Sequence, residues 1–348
     1  MKVTPTSSQK NSKKSFSFYS IIFLLVGANV ALFVVSLGVG RYSIAPTTVI
    51  RALFGRLFTH SNSVSSTVDT VIFDIRLPRI IAALLIGTSL SESGAAYQGI
   101  FDNPLVSPFT LGLSSGAGFG AALAMLAGAN ELFIQISAFI FAIISVILSI
   151  AIGKTKNQSN SVTLVLAGFI VSSLFTSLLS FLKYYADPYT KLPSIVFWLM
   201  GSLSDISSRT VMVIAPIMIA LILALYFLRW KLNILSLGDE EALMLGENPR
   251  RLRYFVIFIS TLLTSLSVSV SGVIGWVGLV VPHIGRMLVG PDYRKLLPVT
   301  ILLGSVYLLL IDDISRTITA SEMPIGILTA LIGTPIFIYI MWKGKYRW

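Results

Sequence analysis

The sequence predicts an all-α polytopic membrane protein of about ten transmembrane helices in two inverted five-helix repeats, with short helices on the cytoplasmic side. Three observations carry that fold class. Apolar residues make up 55% of the 348 positions and charged ones 12%, where soluble domains average roughly 45–50% and 25%. Ten apolar runs, near 19–40, 77–98, 109–128, 132–153, 161–182, 210–228, 254–271, 276–289, 297–313 and 325–342, alternate with polar segments; a helical span needs about 20 such residues. A skeleton also recurs half a chain apart. "LSESGAAYQGIFDNP" (90–104) and "VSVSGVIGWVGLVVP" (268–282) both keep Ser-x-Ser-Gly and a later Pro, pairing Gly94 with Pro104 and Gly272 with Pro282.

In chain order, residues 1–18 are rich in Ser and Lys and are expected to form a disordered basic tail. Residues 19–348 then form one transmembrane domain. The first apolar run is too long for a signal-peptide core and lacks a small-x-small cleavage site, so it is an uncleaved span. The third, eighth and ninth runs are short or interrupted by Gly and are not expected to cross straight. About two-thirds of the 26 Lys and Arg fall on the side of the N-terminus, which places both termini in the cytoplasm. An odd number of spans per half turns the second copy upside down. Such inverted repeats commonly build transport pathways.

Composition closes several routes. With no Cys there are no disulfides, thiolate metal sites or redox motifs. Two histidines, His60 and His283, are too few and too far apart for the usual His-rich zinc site, so no metal is expected in the chain. The net charge of +11 reflects Lys and Arg gathered in loops, and no nucleic-acid partner is implied. Gly153-Lys154-Thr155 imitates the end of a P-loop, but Leu148 stands where the first Gly belongs. No cofactor is expected in this chain, and no catalytic residue.

The small-residue runs, Gly87, Ser91 and Gly94, then Gly112, Ser115, Gly116, Gly118 and Gly120, serve helix packing first and a ligand only second. "FDNPLVSP" (101–108) holds two prolines that strip donors and disfavour helix before them. It is a rigid hairpin, either a bare turn or, with Pro282-His283 as inverted counterpart, half of a symmetric constriction.

The most informative loop is "LRWKLNILSLGDEEALMLGENPRRLR" (228–253), with its centre at about 233–253. Asp239 can cap a short helix with Glu240 and Glu241 in its first turn. Gly246 fits a C-cap, and Asn248 caps a second helix with Pro249 at its first position. Leu243, Met244 and Leu245 would then form an apolar knob. The segment is either a solvated connector or a dock for a soluble partner. On the outer side Arg76, Arg79 and Arg316 are either snorkelling anchors or a cluster for acidic groups of an external protein. Glu92 lies deep in a span, where a charge costs roughly 2.5–3.5 kcal/mol. Asp312 and Asp313 end the ninth span near the outer surface, where Arg316 or helix ends are expected to satisfy them.

"RLPRIIAALLIGTSLSESGAAYQGIFDNPLVSPFTLGLSSGAGFG", "LSLGDEEALMLGENPRRLR" and "SGVIGWVGLVVPHIGRMLVGPDYRKLLP" strongly resemble the FecCD-type permeases, over roughly residues 20–342. These are the membrane subunits of binding-protein-dependent ABC importers for iron(III)-siderophores, haem and cobalamin. The resemblance implies a permease of the bacterial cytoplasmic membrane, paired with itself or a close relative, with the pathway at their interface. It implies two copies of an ATP-binding subunit, which would do the hydrolysis, and an extracytoplasmic binding protein. By the same resemblance Gly238, Asp239, Glu240, Leu243, Leu245, Gly246, Arg250 and Arg251 belong to the ATPase-coupling segment. Arg76, Arg79 and Arg316 match the outer arginines that meet the binding protein, and Asn103, Pro104 and Leu105 match the inner gate. The chain departs from the family at Val273, Trp276, Glu92 and Asp313. The alternative is an ion-coupled secondary transporter with Glu92 as the ion site.

Overall fold

The computed structural model describes residues 17–56, 64–154, 161–319 and 321–343. Residues 1–16 of the basic tail, His60 and Thr155 lie outside the described residues. The described residues are mainly helical: α1 Phe18–Gly38, α2 Pro46–Phe54, α3 Ser66–Thr70, α4 Leu77–Ile100, α5 Leu113–Leu126, α6 Glu131–Gly153, α7 Ser161–Tyr185 and α8 Lys191–Met200. There follow α9 Ser208–Phe227, α10 Arg229–Leu235, α11 Asp239–Met244, α12 Pro249–Ser271, α13 Val277–Val289, α14 Tyr293–Thr317 and α15 Ile325–Lys343. Among the described residues no strand forms.

Every one of the ten apolar runs lies on a helix, and among the described residues seven helices are long and apolar enough to cross a membrane. α4 is as long as these but is packed on almost every side. Protein neighbours surround it, so its Ser, Gly and Glu residues need not face lipid. α5 and α13, with 14 and 13 residues, reach only about 20 Å at 1.5 Å per residue and cannot span straight. The ninth run departs from expectation. α14 is 25 residues long, because Asp292 caps its start and its polar end (Asp312, Asp313, Arg316) is buried against other helices.

α4 is the axis of the bundle. A methyl group at Gly87 would overlap the Gly304 carbonyl of α14, and one at Gly94 would overlap Gly278 of α13. Thr88 and Ser91 donate to the Ile301 and Thr300 carbonyls across the same α4–α14 seam. Gly116 and Gly120 of α5 press on the α6 backbone in the same way, and Ser137 Oγ bonds the Gly120 carbonyl at 2.7 Å. The small residues therefore bring backbones together, as apolar spans without a hydrophobic drive require.

The two recurring segments meet, since Gly94 of one touches Gly278 of the other. Their local structures differ. Gly94 and Gln98 are inside α4 and Pro104 is in the turn beyond it, whereas Gly272 ends α12 with φ of +66° and Pro282 lies inside α13. His283 is buried beside the Phe337 ring at 5.1 Å. Pro282-His283 is thus helix rather than a mirror image of the 101–108 hairpin. A proline six residues into α13 still has helix on both sides because its neighbours Val280, Val281 and His283 are buried and held by packing.

Candidate functional site

Two ends of the bundle carry the chemistry. At the α11 end, α11 begins at Asp239 with Gly238 (φ +118°) at its N-cap. Asp239 is therefore not the cap. Its carboxylate instead pairs with Arg253 at 2.9 Å. Glu240 is exposed in the first turn, next to the positive end of the helix. Leu245 ends the helix and Gly246 follows with φ of +81°, a left-handed conformation that costs glycine nothing. Asn248 caps α12 through the Arg251 amide at 3.0 Å, with Pro249 in the first turn. Between these caps Leu243, Met244 and Leu245 stand 59%, 85% and 59% exposed, and Arg250 and Arg251 are exposed beside them. Lys231 of α10 pairs with Glu247 at 2.7 Å, which ties the two sides of the segment.

The 101–107 hairpin lies at this same end. α4 ends at Ile100 with Phe101 as its C-cap, and Asp102 follows with φ of +46°. Asn103 Oδ1 accepts the Leu105 amide at 2.9 Å, an Asx turn that fixes Pro104 between them. Leu105 is 55% exposed. Asn233 of α10 bonds both Asp292 (2.7 Å) and the Tyr293 amide (2.8 Å). Arg294 and, more weakly, Asn233 hold the Asp292 carboxyl down to about 2.

At the opposite end, the three arginines expected to face outward are each 5% exposed. Arg76 donates to the Leu37 and Tyr42 carbonyls. Arg79 pairs with Asp312 at 2.8 Å and with Glu322 at 2.6 Å, and Arg316 pairs with Asp312 at 3.1 Å and with Asp313. Ser36 Oγ donates to Asp313 at 2.6 Å, and Ser204 donates to Glu322 at 2.9 Å. Burial pushes the Glu322 carboxyl up, but the Arg79 hydrogen bond and charge outweigh it and hold it below the ordinary range. The network joins α1, α4, α14 and the 201–207 loop. Charge turns Arg79 and Arg316 inward: Asp312 and Asp313 are buried, and a planar guanidinium can reach two carboxylates at once, whereas Arg76 serves backbone carbonyls. The sequence reading missed Glu322 and Ser204 as their partners.

Between the ends, Glu92 is fully buried in α4, and neither carboxylate oxygen has a hydrogen-bond partner among the described residues. One helix was under-read. α7 exposes Ser173, Thr176, Ser177 and Ser180, spaced i, i+3, i+4, i+7 on one stripe, and Phe169, Ile170, Leu174 and Phe181 around them. The Ser and Thr spacing was the available signal. A cavity of about 610 Å³ opens near the start of α6, α8 and the end of α12, lined by Glu131, Gln135, Trp198, Ser202, Asp205 and Ser271 among others.

The amino-acid sequence matches a family model, the FecCD transport family, over residues 27–343. The chain belongs to this family. It is 41% identical over 330 residues to the molybdate import system permease protein of Haemophilus influenzae, covering 94% of this chain and 97% of that one. It is 42% identical to a probable iron chelatin transport system permease of Helicobacter pylori, covering 83% and 87%. An inward-facing metal-chelate type ABC transporter superposes with a TM-score of 0.84 at 40% identity, covering 94% of this chain and all of that one. This FecCD chain is therefore a multi-pass membrane protein and the permease of an ABC importer.

Proposed function

We propose that this permease carries an iron(III)-siderophore or similar metal chelate into the cytoplasm, driven by a separate ATPase that docks on α11. The observation that carries the reading is the apolar knob Leu243–Met244–Leu245, displayed between two capped turns and flanked by Arg250 and Arg251. Apolar side chains held out on a short rigid element fit a groove in a soluble partner better than they fit water. The α11 end is then the cytoplasmic end, both termini are cytoplasmic, and the membrane is the bacterial inner membrane. The ten helices that carry the apolar runs make up the two inverted five-helix halves, with α5 and α13 too short to cross straight.

The pathway belongs at the exposed stripe of α7. Thr176 and Ser180 bond within the chain, to Ser115 and to the Thr176 carbonyl. Ser173 and Ser177 on the same exposed stripe would go poorly solvated against lipid and favour a second permease copy, the same chain or a homologue, with a wet channel between the two. The stripe holds hydroxyls and no charges, which suits a preformed chelate and offers no strong site to a bare ion. Relatives named for molybdate and for iron chelatin are about equally similar to this chain in sequence, 41% and 42% identical, so selection of cargo falls to the extracytoplasmic binding protein. The Asn103–Pro104–Leu105 turn, one helix end away from α11, is the inner gate. Family membership supports ATP-driven import and leaves the ion-coupled alternative without support.

The test is Leu243→Asp with Leu245→Asp. The double variant should insert normally yet fail to co-purify with the cognate ATPase and lose uptake of a labelled iron(III) chelate. Co-purification at wild-type yield with unchanged hydrolysis would remove α11 from the docking role.

A further inference from the structure

Arg253, in the second turn of α12, holds two segments at once. Its Nη2 donates to Asp239 at 2.9 Å, the first residue of α11. Its Nε donates to the Ile100 carbonyl at 3.0 Å, the last residue of α4 and the point where the 101–107 hairpin begins. The Arg253 side chain is 11% exposed while Asp239 is 56% exposed, so the guanidinium is set in the protein and reaches out to the docking element. A carbonyl at a helix C-terminus lacks an intrahelical donor, and a cation there also meets the negative end of the helix. Arg253 supplies both. Beside this bridge, a cavity of about 360 Å³ is lined by Ser236 of the coupling segment and by Asp102, Asn103 and Pro104 of the hairpin. The hairpin thus has room to shift, and the planar guanidinium, whose donors are fixed in one fork, ties its root to α11.

We propose that Arg253 is a positioning residue for transport: a strut that passes displacement of α11 to the root of the gate hairpin. The inference rests on the docking role of α11, and the experiment separates the two. Arg253 is not part of the exposed knob, so the Arg253→Ala permease should still co-purify with the ATPase. It should still support ATP hydrolysis, while chelate uptake per ATP falls about tenfold, the size expected when a coupling residue is lost. The chain has no Cys, so a fluorescent label on Leu105→Cys reports the hairpin alone. Its response to ATP should vanish in Arg253→Ala and return in part in Arg253→Lys, which keeps a cation but only one point of attachment.

A merely stabilising role predicts less folded protein with an unchanged uptake-to-hydrolysis ratio in the folded fraction. That ratio, or a wild-type response of the Leu105 label, would overturn the proposal. Loss of ATPase co-purification in Arg253→Ala would overturn it too, by placing Arg253 in the dock. Failure of the docking reading itself shows separately, as retained co-purification in the Leu243/Leu245 variant.

Discussion

Arg79 and Asp312 meet at 2.8 Å with side chains only 6% and 0% exposed. They lie on α4 and α14, whose backbones are already in contact at Gly87 and Gly304. Asp312 also receives Arg316, and Glu322 on Arg79 and Asp313 on Arg316 supply the remaining negative charge. This is an internal staple, and it gives Arg79 and Arg316 a role in folding.

The first prediction follows from that burial. Removing one member unbalances the buried network, but Asp312 keeps Arg316 and Arg79 keeps Glu322, so the cost falls below the roughly 3–5 kcal/mol of breaking an isolated buried pair. Arg79→Gln and Asp312→Asn should each lower the thermal stability of the detergent-solubilised permease, as read by the monodisperse fraction after heating. The loss should persist at high salt, because screening acts on exposed charges and reaches buried pairs far less. Wild-type melting together with a salt-dependent loss of binding-protein association would return Arg79 to a docking role.

The second concerns close helix approach. Gly94→Ala drives a methyl group into the Gly278 backbone, which cannot yield as a side chain could, and overpacking of this kind costs about 1–3 kcal/mol. Gly27 in α1 has nothing within 4 Å of an added Cβ, so Gly27→Ala should be neutral or gain up to about 1 kcal/mol from helix propensity. Melting temperatures of the two variants should separate in that order. Equal melting would mean that the α4–α13 contact is looser than drawn.

The third tests the α7 stripe. Ser177→Trp puts a large ring on the exposed polar face without touching the buried face at Val171, Phe175 and Leu179. Yield and ATPase docking should remain, and chelate uptake should stop because the channel is filled. Ser177→Cys in this Cys-free chain should also cross-link two copies. Normal uptake by the tryptophan variant would place the stripe against lipid.

The helices were legible wherever lipid or packing dictates composition. α6, α7 and α9 are apolar nearly throughout and were readable from length alone, and the caps at Gly246, Asn248 and Pro249 were readable from residue type. α8 was not, because ten residues are too few to span and carry no repeat. The setting of Arg79 was also hidden: its partners Asp312 and Glu322 are 233 and 243 residues away, a distance across which sequence pattern says nothing. Arg253 was hidden differently. It stands beside Arg250 and Arg251 in one basic run, and only the fold turns it inward toward Ile100 while the other two stay exposed. The α7 hydroxyls were in plain view as Ser173, Thr176, Ser177 and Ser180, but whether they face lipid, a neighbour or water depends on which side of α7 the bundle covers.

The last prediction concerns Glu92, deep in α4 with no hydrogen-bond partner for either oxygen among the described residues. A charge at such depth costs roughly 2.5–3.5 kcal/mol, and the structure offers it no compensating cation in hydrogen-bond contact. An amide has nearly the same shape and carries no charge. Glu92→Gln should therefore fold at least as well as the wild type and keep most of its chelate uptake. In reconstituted vesicles at clamped ATP, collapse of the proton or sodium gradient should leave uptake unchanged in both proteins, since the energy comes from the ATPase. Complete loss of uptake in Glu92→Gln, together with gradient-driven uptake by the wild type without ATP, would show that Glu92 carries a coupling ion and that α11 is not the site where energy enters.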